Sequence, residues 1–158
     1  MFARSRRRER GDIPMVALPV SDSCVFCRIV KGEIPSTRVY EDDQVLAFMD
    51  INPISRGHLL VIPKGHYETL LAVPDDAGML IMPILKRLGK AVMDATGATG
   101  FNCLQNNFAA SGQIVFHSHW HIIPRFDGDG LEQWPHDAAI DAAAREAVAQ
   151  AVRDALGA

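Results

Sequence analysis

Three histidines spaced strictly two apart, His117, His119 and His121, constrain this chain more than any other feature. In an extended strand the side chains alternate between faces, so a strand over 115–123 puts all three imidazoles on one face. Such a face makes a poor core, because each ring brings nitrogens that need partners once water is removed. The chain has 6 histidines and half of them are here. The segment therefore reads as a site. Two chemistries fit it. Alternating imidazoles are metal ligands, or one imidazole is a nucleophile whose orientation its neighbours fix. The preceding Ser111-Gly112-Gln113 favours the second, since Gly112 admits close backbone approach and the Gln113 amide is a donor suited to an oxyanion.

The rest of the chain supplies a frame for that strand. Val25, Phe26, Ile29 and Val30 suit a short helix over 24–31 that Gly32 ends. Strand-like runs follow at 37–40, 45–50 and 58–62, separated by Glu41-Asp42-Asp43 and by Asn52-Pro53 and Ser55-Arg56-Gly57. Ile81, Ile84, Leu85, Leu88, Val92 and Ala95 fall on one helical face and predict a helix over 75–95, which Pro83 either kinks or begins. A further strand is expected at 101–106. An alanine-rich stripe of Ile140, Ala144, Ala147, Val148, Ala151 and Ala155 predicts a C-terminal helix over 137–156. Strands joined by short turns, with segregated helices, give an α+β domain on a largely antiparallel sheet.

At 158 residues, 48% hydrophobic and 22% charged, the chain suits one soluble globular domain. A net charge of -3 argues against general nucleic-acid binding, so any phosphate must be met at a local site. No apolar run approaches the roughly 18 residues a membrane span needs. Arg4, Arg6, Arg7, Arg8 and Arg10 make residues 1–22 a basic arm, without the apolar stretch of a signal peptide. Its readings are a contact for nucleic acid or an acidic partner, or a solvated, disordered leader with Met15 as the start. Cys24, Cys27 and Cys103 are an odd set that points to a reducing cytoplasm, with Cys103 expected as a small core residue.

His117-Ser118-His119-Trp120-His121-Ile122-Ile123, following Gly112-Gln113, resembles the signature of the histidine triad (HIT) family. Other segments follow in that family's order: Cys24 to Pro35, Glu41-Asp42-Asp43, Leu46 to Asn52, and Gly57 to Lys64. The resemblance covers about 23–125, and Ile122-Ile123-Pro124-Arg125 is most similar to the Hint-like bacterial branch. It implies a HIT-like fold over 23–126, with a five-stranded sheet, a long helix and shorter ones, and a C-terminal helical extension over 127–158.

The resemblance also implies roles. His119 matches the nucleophile that attacks the α-phosphorus of a nucleoside monophosphoryl group, forming a nucleotidyl-imidazole that water hydrolyses. A backbone carbonyl of the triad strand takes its other ring proton. His121 and Gln113 match groups that hold phosphate oxygens, Asn106 matches a phosphate-side amide, and His58 matches a histidine at the edge of the site that helps orient the triad, with a satisfied surface histidine as the competing reading. Asp50 matches a ribose-binding acid. Phe26, Ile29, Ile34 and Ile51 match the walls of a purine slot, for which plain core packing is the competing reading. Cys24 and Cys27, two thiols at one edge of a tetrahedron, match zinc ligands together with His66 and His117, and the ion is implied to be structural. No organic cofactor is implied. Phosphoramidates, aminoacyl adenylates and dinucleoside polyphosphates of AMP or GMP are the implied substrates, and a homodimer the implied assembly.

One departure stands out: several relatives carry a hydroxyl residue after the glutamine, where this chain has Ile114, which donates nothing to a leaving amine. Trp134 and its surroundings, where relatives read the leaving group, match nothing clear. The competing readings are a nucleotide-binding regulatory module with vestigial chemistry and a hydrolase whose triad holds a catalytic metal.

Overall fold

A computed structural model of the protein describes residues 17–132 and 141–157. The chain forms two compact units, one running through Asp127 and one starting at Gly128.

In the first unit, helix α1 (Val25–Val30) precedes strands β1 (Arg38–Glu41), β2 (Val45–Met49) and β3 (Leu59–Pro63). The long helix α2 (Asp75–Thr96) and strands β4 (Gly100–Leu104) and β5 (Trp120–Arg125) complete it. The five strands form one sheet in the order β1-β2-β3-β5-β4, antiparallel at every step. The expected α+β architecture is the observed one.

Both faces of the central strands are covered, which explains why β2 and β3 read as continuous apolar runs. Val45, Ala47, Leu59, Val61 and Ile122 pack with Ile81, Ile84, Leu85 and Val92 of α2 on one face. Leu46, Phe48, Leu60 and Ile62 pack with Cys24, Phe26, Cys27 and Ile29 of α1 on the other. Asp75 and Asp76 in the first turn of α2 oppose its dipole, and Gly97 ends it at φ 74° with its N–H on Met93 O. Pro83 therefore lies inside α2 and does not begin it. Gly89 is tolerated for a steric reason: a Cβ there would sit 2.5 Å from the Phe101 ring.

Two strand-level expectations need correction. Ladder pairing of β5 begins at Trp120, opposite Val61, so His117 and His119 precede the strand. There the backbone leaves the sheet, and Ser118 N–H donates to Tyr67 O at 2.5 Å. Cys103 is exposed, contrary to its expected place in the core. It faces the α2 side of the edge strand β4, where α2 leaves uncovered a groove of about 500 Å³ lined by Met82, Leu85, Met93, Phe101 and Cys103.

In the second unit, helix α3 (Ala142–Leu156) is capped by Asp141, whose carboxylate accepts from Ala144 N–H. Its first expected turn, including Ile140, lies outside the described residues, as do Trp134 and residues 1–16 of the basic arm. The last part of that arm is described, and His66 N–H donates to Pro19 O at 2.7 Å. Among the described residues no helix is long and apolar enough to cross a membrane.

Candidate functional site

The site grows from the register of β5. His121 pairs opposite Leu60 and Leu104, so its side chain shares the α1 face of the sheet with Leu60. The three imidazoles still come together: His119 and His121 have ring centroids 5.0 Å apart, edge to face. Phe26 of α1 lies against two of them, 5.2 Å from His119 and 5.8 Å from His117.

His119 is 6% exposed. Its Nδ1 lies 2.6 Å from His117 O, and since a carbonyl can only accept, Nδ1 carries the proton. The lone pair of the neutral ring is therefore on Nε2, which has no hydrogen-bond partner among the described residues. Burial holds the pKa of His119 below its ordinary value, against the His117 carbonyl and the Asp50 carboxylate, which favour the charged form. His121 is driven further, to about 4, by burial and then by His119 and His58 beside it. The rings stay neutral near pH 7, and one exposes a free nitrogen. A neutral imidazole with its far N–H anchored is equipped to attack an electrophile.

Around it, His58 is 2% exposed and contacts His121, with His58 Nε2 2.9 Å from His121 Nδ1. Ile54 N–H donates to His58 Nδ1 at 3.1 Å. Asp50 is half-buried; its Oδ1 accepts from Asn52 N–H, and its Oδ2 is 3.6 Å from His58 Nε2. Phe26 and Ile29 are buried in the α1 cluster, Ile34 packs against it half-buried, and Ile51 is 88% exposed. Asn106 is half-buried, with its amide nitrogen 3.5 Å from where a Cβ on Gly112 would stand. Gly112 itself has φ 89°, a conformation that favours glycine.

Gln113 departs from its expected role. Its amide donates to Glu68 O at 2.6 Å and Val115 O at 3.1 Å, and its oxygen accepts from Phe108 N–H at 2.7 Å. The side chain is committed to shaping the loop, so its amide is not free for an oxyanion. Sequence reasoning missed Phe108, which that bond helps hold at φ 69°, the one positive value among described non-glycine residues. Such a conformation is strained by about 1–3 kcal/mol.

A second cluster lies behind the first. Cys24, Cys27, His66 and His117 bring their ligand atoms within 4.8 Å of one another. Cys24 Sγ and Cys27 Sγ are 3.5 and 3.6 Å from His117 Nδ1, and Cys27 Sγ is 3.4 Å from His66 Nδ1. Around a tetrahedral zinc with ordinary bond lengths, sulfur and nitrogen ligands stand about 3.6 Å apart. The donor set fits that ion. His117 Nε2–H donates to Pro63 O at 2.9 Å, which turns the Nδ1 lone pair toward the sulfurs, the outer contact that metal-binding imidazoles require. Burial raises Cys27 and lowers His117 to about 4, so the imidazole is ready to ligate and a cation is needed to hold the thiolate. The exposed Ile114 side chain lines a cavity of about 340 Å³ beside this cluster, with Val25, His66, Glu68 and Phe116.

Comparison with known proteins follows the geometry. The model of the HIT domain matches residues 31–128. The chain is 44% identical over 121 residues to the adenylylsulfatase HINT3 of Arabidopsis thaliana, covering 77% of this chain and 61% of that protein, under two thirds of its length. It is 42% identical over 123 residues to the adenosine 5'-monophosphoramidase HNT1 of Candida albicans, covering 73% and 80%. Among solved structures, SMU.412c from Streptococcus mutans superposes with a TM-score of 0.80 at 36% identity, over 86% of this chain and 87% of the other. A zinc-bound histidine triad family protein from Mycobacterium smegmatis superposes with a TM-score of 0.67 at 38% identity, over 84% and 97%.

Proposed function

The chain belongs to the HIT family, and from that premise we propose that it is a hydrolase or transferase acting at the α-phosphate of nucleoside monophosphoryl compounds through a nucleotidyl intermediate on His119. The observation that carries this reading is the hydrogen bond from His119 Nδ1 to His117 O, which leaves the Nε2 lone pair as the reactive end of a neutral ring. Nε2 attacks phosphorus, and the bond from phosphorus to the leaving group breaks with its electron pair on that group. The positive charge of the nucleotidyl ring is stabilised through Nδ1–H on the carbonyl. Water then attacks phosphorus, the P–N bond breaks, and the nucleotide departs with His119 restored.

His121 holds one phosphate oxygen, Asn106 serves another, and Gln113 acts by holding the Gly112 loop. Asp50 Oδ2 accepts from the ribose hydroxyls. A purine slot is formed by Phe26, Ile29, Ile34 and Ile51, and the exposure of Ile51 supports that reading over plain core packing. Relatives named for adenosine 5'-monophosphoramidate and adenylyl sulfate support an adenylyl substrate, with phosphoramidates, aminoacyl adenylates and dinucleoside polyphosphates as its classes.

Zinc on Cys24, Cys27, His66 and His117 clamps α1 to the loop that carries the triad, a structural role. The protein works as a homodimer: the free edge of β4 and the apolar groove around Phe101 support a second copy there, which sedimentation checks. Its free thiols suit the reducing cytoplasm.

A crystal soaked with AMP tests the reading. Phosphorus is expected about 3–3.5 Å from His119 Nε2, with the base between Phe26 and Ile51. Phosphate elsewhere contradicts it. A nucleotide-binding module without turnover remains the second reading, favoured by Ile114, whose side chain is 88% exposed and offers no proton to a leaving group.

A further inference from the structure

Phe108 stands in a backbone conformation that penalises any side chain, and its ring is not part of the core. Its φ of 69° and ψ of 161° fall in a region that glycine alone occupies freely. The loop imposes that conformation from both sides of the residue. Phe108 N–H donates to Gln113 Oε1 at 2.7 Å, and Phe108 O accepts from Ser111 N–H at 3.1 Å and Ser111 Oγ at 2.9 Å. The preceding residue is pinned as well, since Leu70 N–H donates to Asn107 Oδ1 at 2.7 Å. A glycine would sit here without strain, as Gly112 holds the loop's other turn at φ 89°. Yet the ring is 52% exposed and belongs to neither apolar cluster of the sheet. Packing does not offset the strain.

The place of the residue supplies a reason. Leu104 pairs with His121, and Gln105 Nε2 donates to Ser118 Oγ at 2.5 Å, so the chain leaving β4 runs beside the triad. Asp50 and Ile51 follow β2, on the opposite side of β5 in the sheet order. One hydrogen-bonded run ties the loop to His119. Gln113 Nε2 donates to Val115 O, which also accepts from His117 N–H, and His117 O accepts from His119 Nδ1–H. A nucleoside held on the β2 side leaves the β4 side for whatever else phosphorus carries. Ile114, 88% exposed, is a second large apolar side chain on the same loop.

We infer that Phe108, with Ile114 of the same loop, forms an apolar subsite on the β4 flank of His119 that takes leaving groups with a ring-sized apolar end. In-line attack by Nε2 sends the leaving group to the side of phosphorus away from the buried His119 ring. An aromatic ring already fixed by its loop covers an apolar group there with little ordering cost. Small leaving groups gain nothing from it. That the bound group is the one that departs rests on the reading of His119 as nucleophile; the apolar subsite does not.

Two uncleavable probes test this without turnover: the methylphosphonate and benzylphosphonate esters of adenosine, whose substituent is joined to phosphorus through carbon. Calorimetry on the full-length protein should find the benzyl probe bound about tenfold more tightly, the worth of roughly 55 Å² of apolar surface taken from water. Phe108→Ala should bring that ratio near one, and Phe108→Gly should do the same. The glycine variant should melt a few degrees above the alanine variant, because only glycine relieves the backbone. For the matching methylamine and benzylamine phosphoramidates, the ratio of kcat/KM should fall by the same factor. Equal affinity for the two probes in the unmodified protein overturns the proposal. So does a preference for benzyl that survives in a folded Phe108→Ala protein, or an alanine variant that melts at or above the glycine one. If Phe108→Ala does not fold, Phe108→Gly decides the ratio. Discrimination in binding with no turnover of any adenylyl substrate keeps the subsite and removes the nucleophile; turnover without discrimination removes the subsite alone.

Discussion

His119 Nδ1 lies 2.6 Å from the carbonyl oxygen of His117, whose own ring turns Nδ1 toward Cys24 and Cys27 at 3.5 and 3.6 Å. One residue thus joins the two clusters, with its backbone orienting the candidate nucleophile and its side chain completing the sulfur site. What holds the His117 ring therefore also steadies the His119 tautomer.

Zinc removal follows from this link. Cys27→Ser should abolish bound zinc and the thiolate-to-metal absorption of the cobalt-substituted protein. It should also lower stability, by about 4 kcal/mol where free zinc stands a thousandfold above its Kd. Unchanged cobalt spectra in the variant would remove Cys27 from the ligand set.

Ile114 bears on the leaving group. Its side chain is 88% exposed and supplies no proton, so departure of an amine lacks help there. Ile114→Ser should raise phosphoramidate turnover by about tenfold or more while leaving AMP affinity nearly unchanged. Equal turnover in both proteins would show that this position does not touch the departing group.

Acid should unfold the protein through its buried imidazoles. His121 titrates at about 4 in the folded chain, from an ordinary 6.5, and burial lowers His58 as well. Between those values the unfolded state binds more protons, so stability rises with pH. The contribution is fully present above about 6.5 and is lost as pH falls toward 4. Thermal midpoints measured across that range check it, and His121→Phe should flatten the curve. A midpoint that climbs as pH drops from 6.5 would contradict the cause assigned.

The parts legible in the sequence were those whose chemistry is local. The spacing of His117, His119 and His121 foretold that their rings would gather, and α2 announced its face through Ile81, Ile84, Leu85 and Val92. Partners set by tertiary contact were not legible. Gln113 has a donor amide in any context, and only the fold brings Glu68 O and Val115 O to consume it. Cys103 alternates like a core residue, yet β4 is an edge strand that α2 does not fully cover, so it is exposed. The triad was expected within a strand, but pairing starts only at Trp120 because β3 ends its match with β5 at Val61. The rings meet nonetheless, held by Phe26 and the His117 carbonyl in place of a ladder.

Covalent capture at His119 is the most direct measurement. Mixing the protein with an adenylyl substrate labelled at phosphorus, quenching within one turnover and mapping the label should place it on His119, as an acid-labile and base-stable phosphoramidate. His119→Ala should carry none. Turnover with no labelled protein, or label that persists in His119→Ala, would contradict the account.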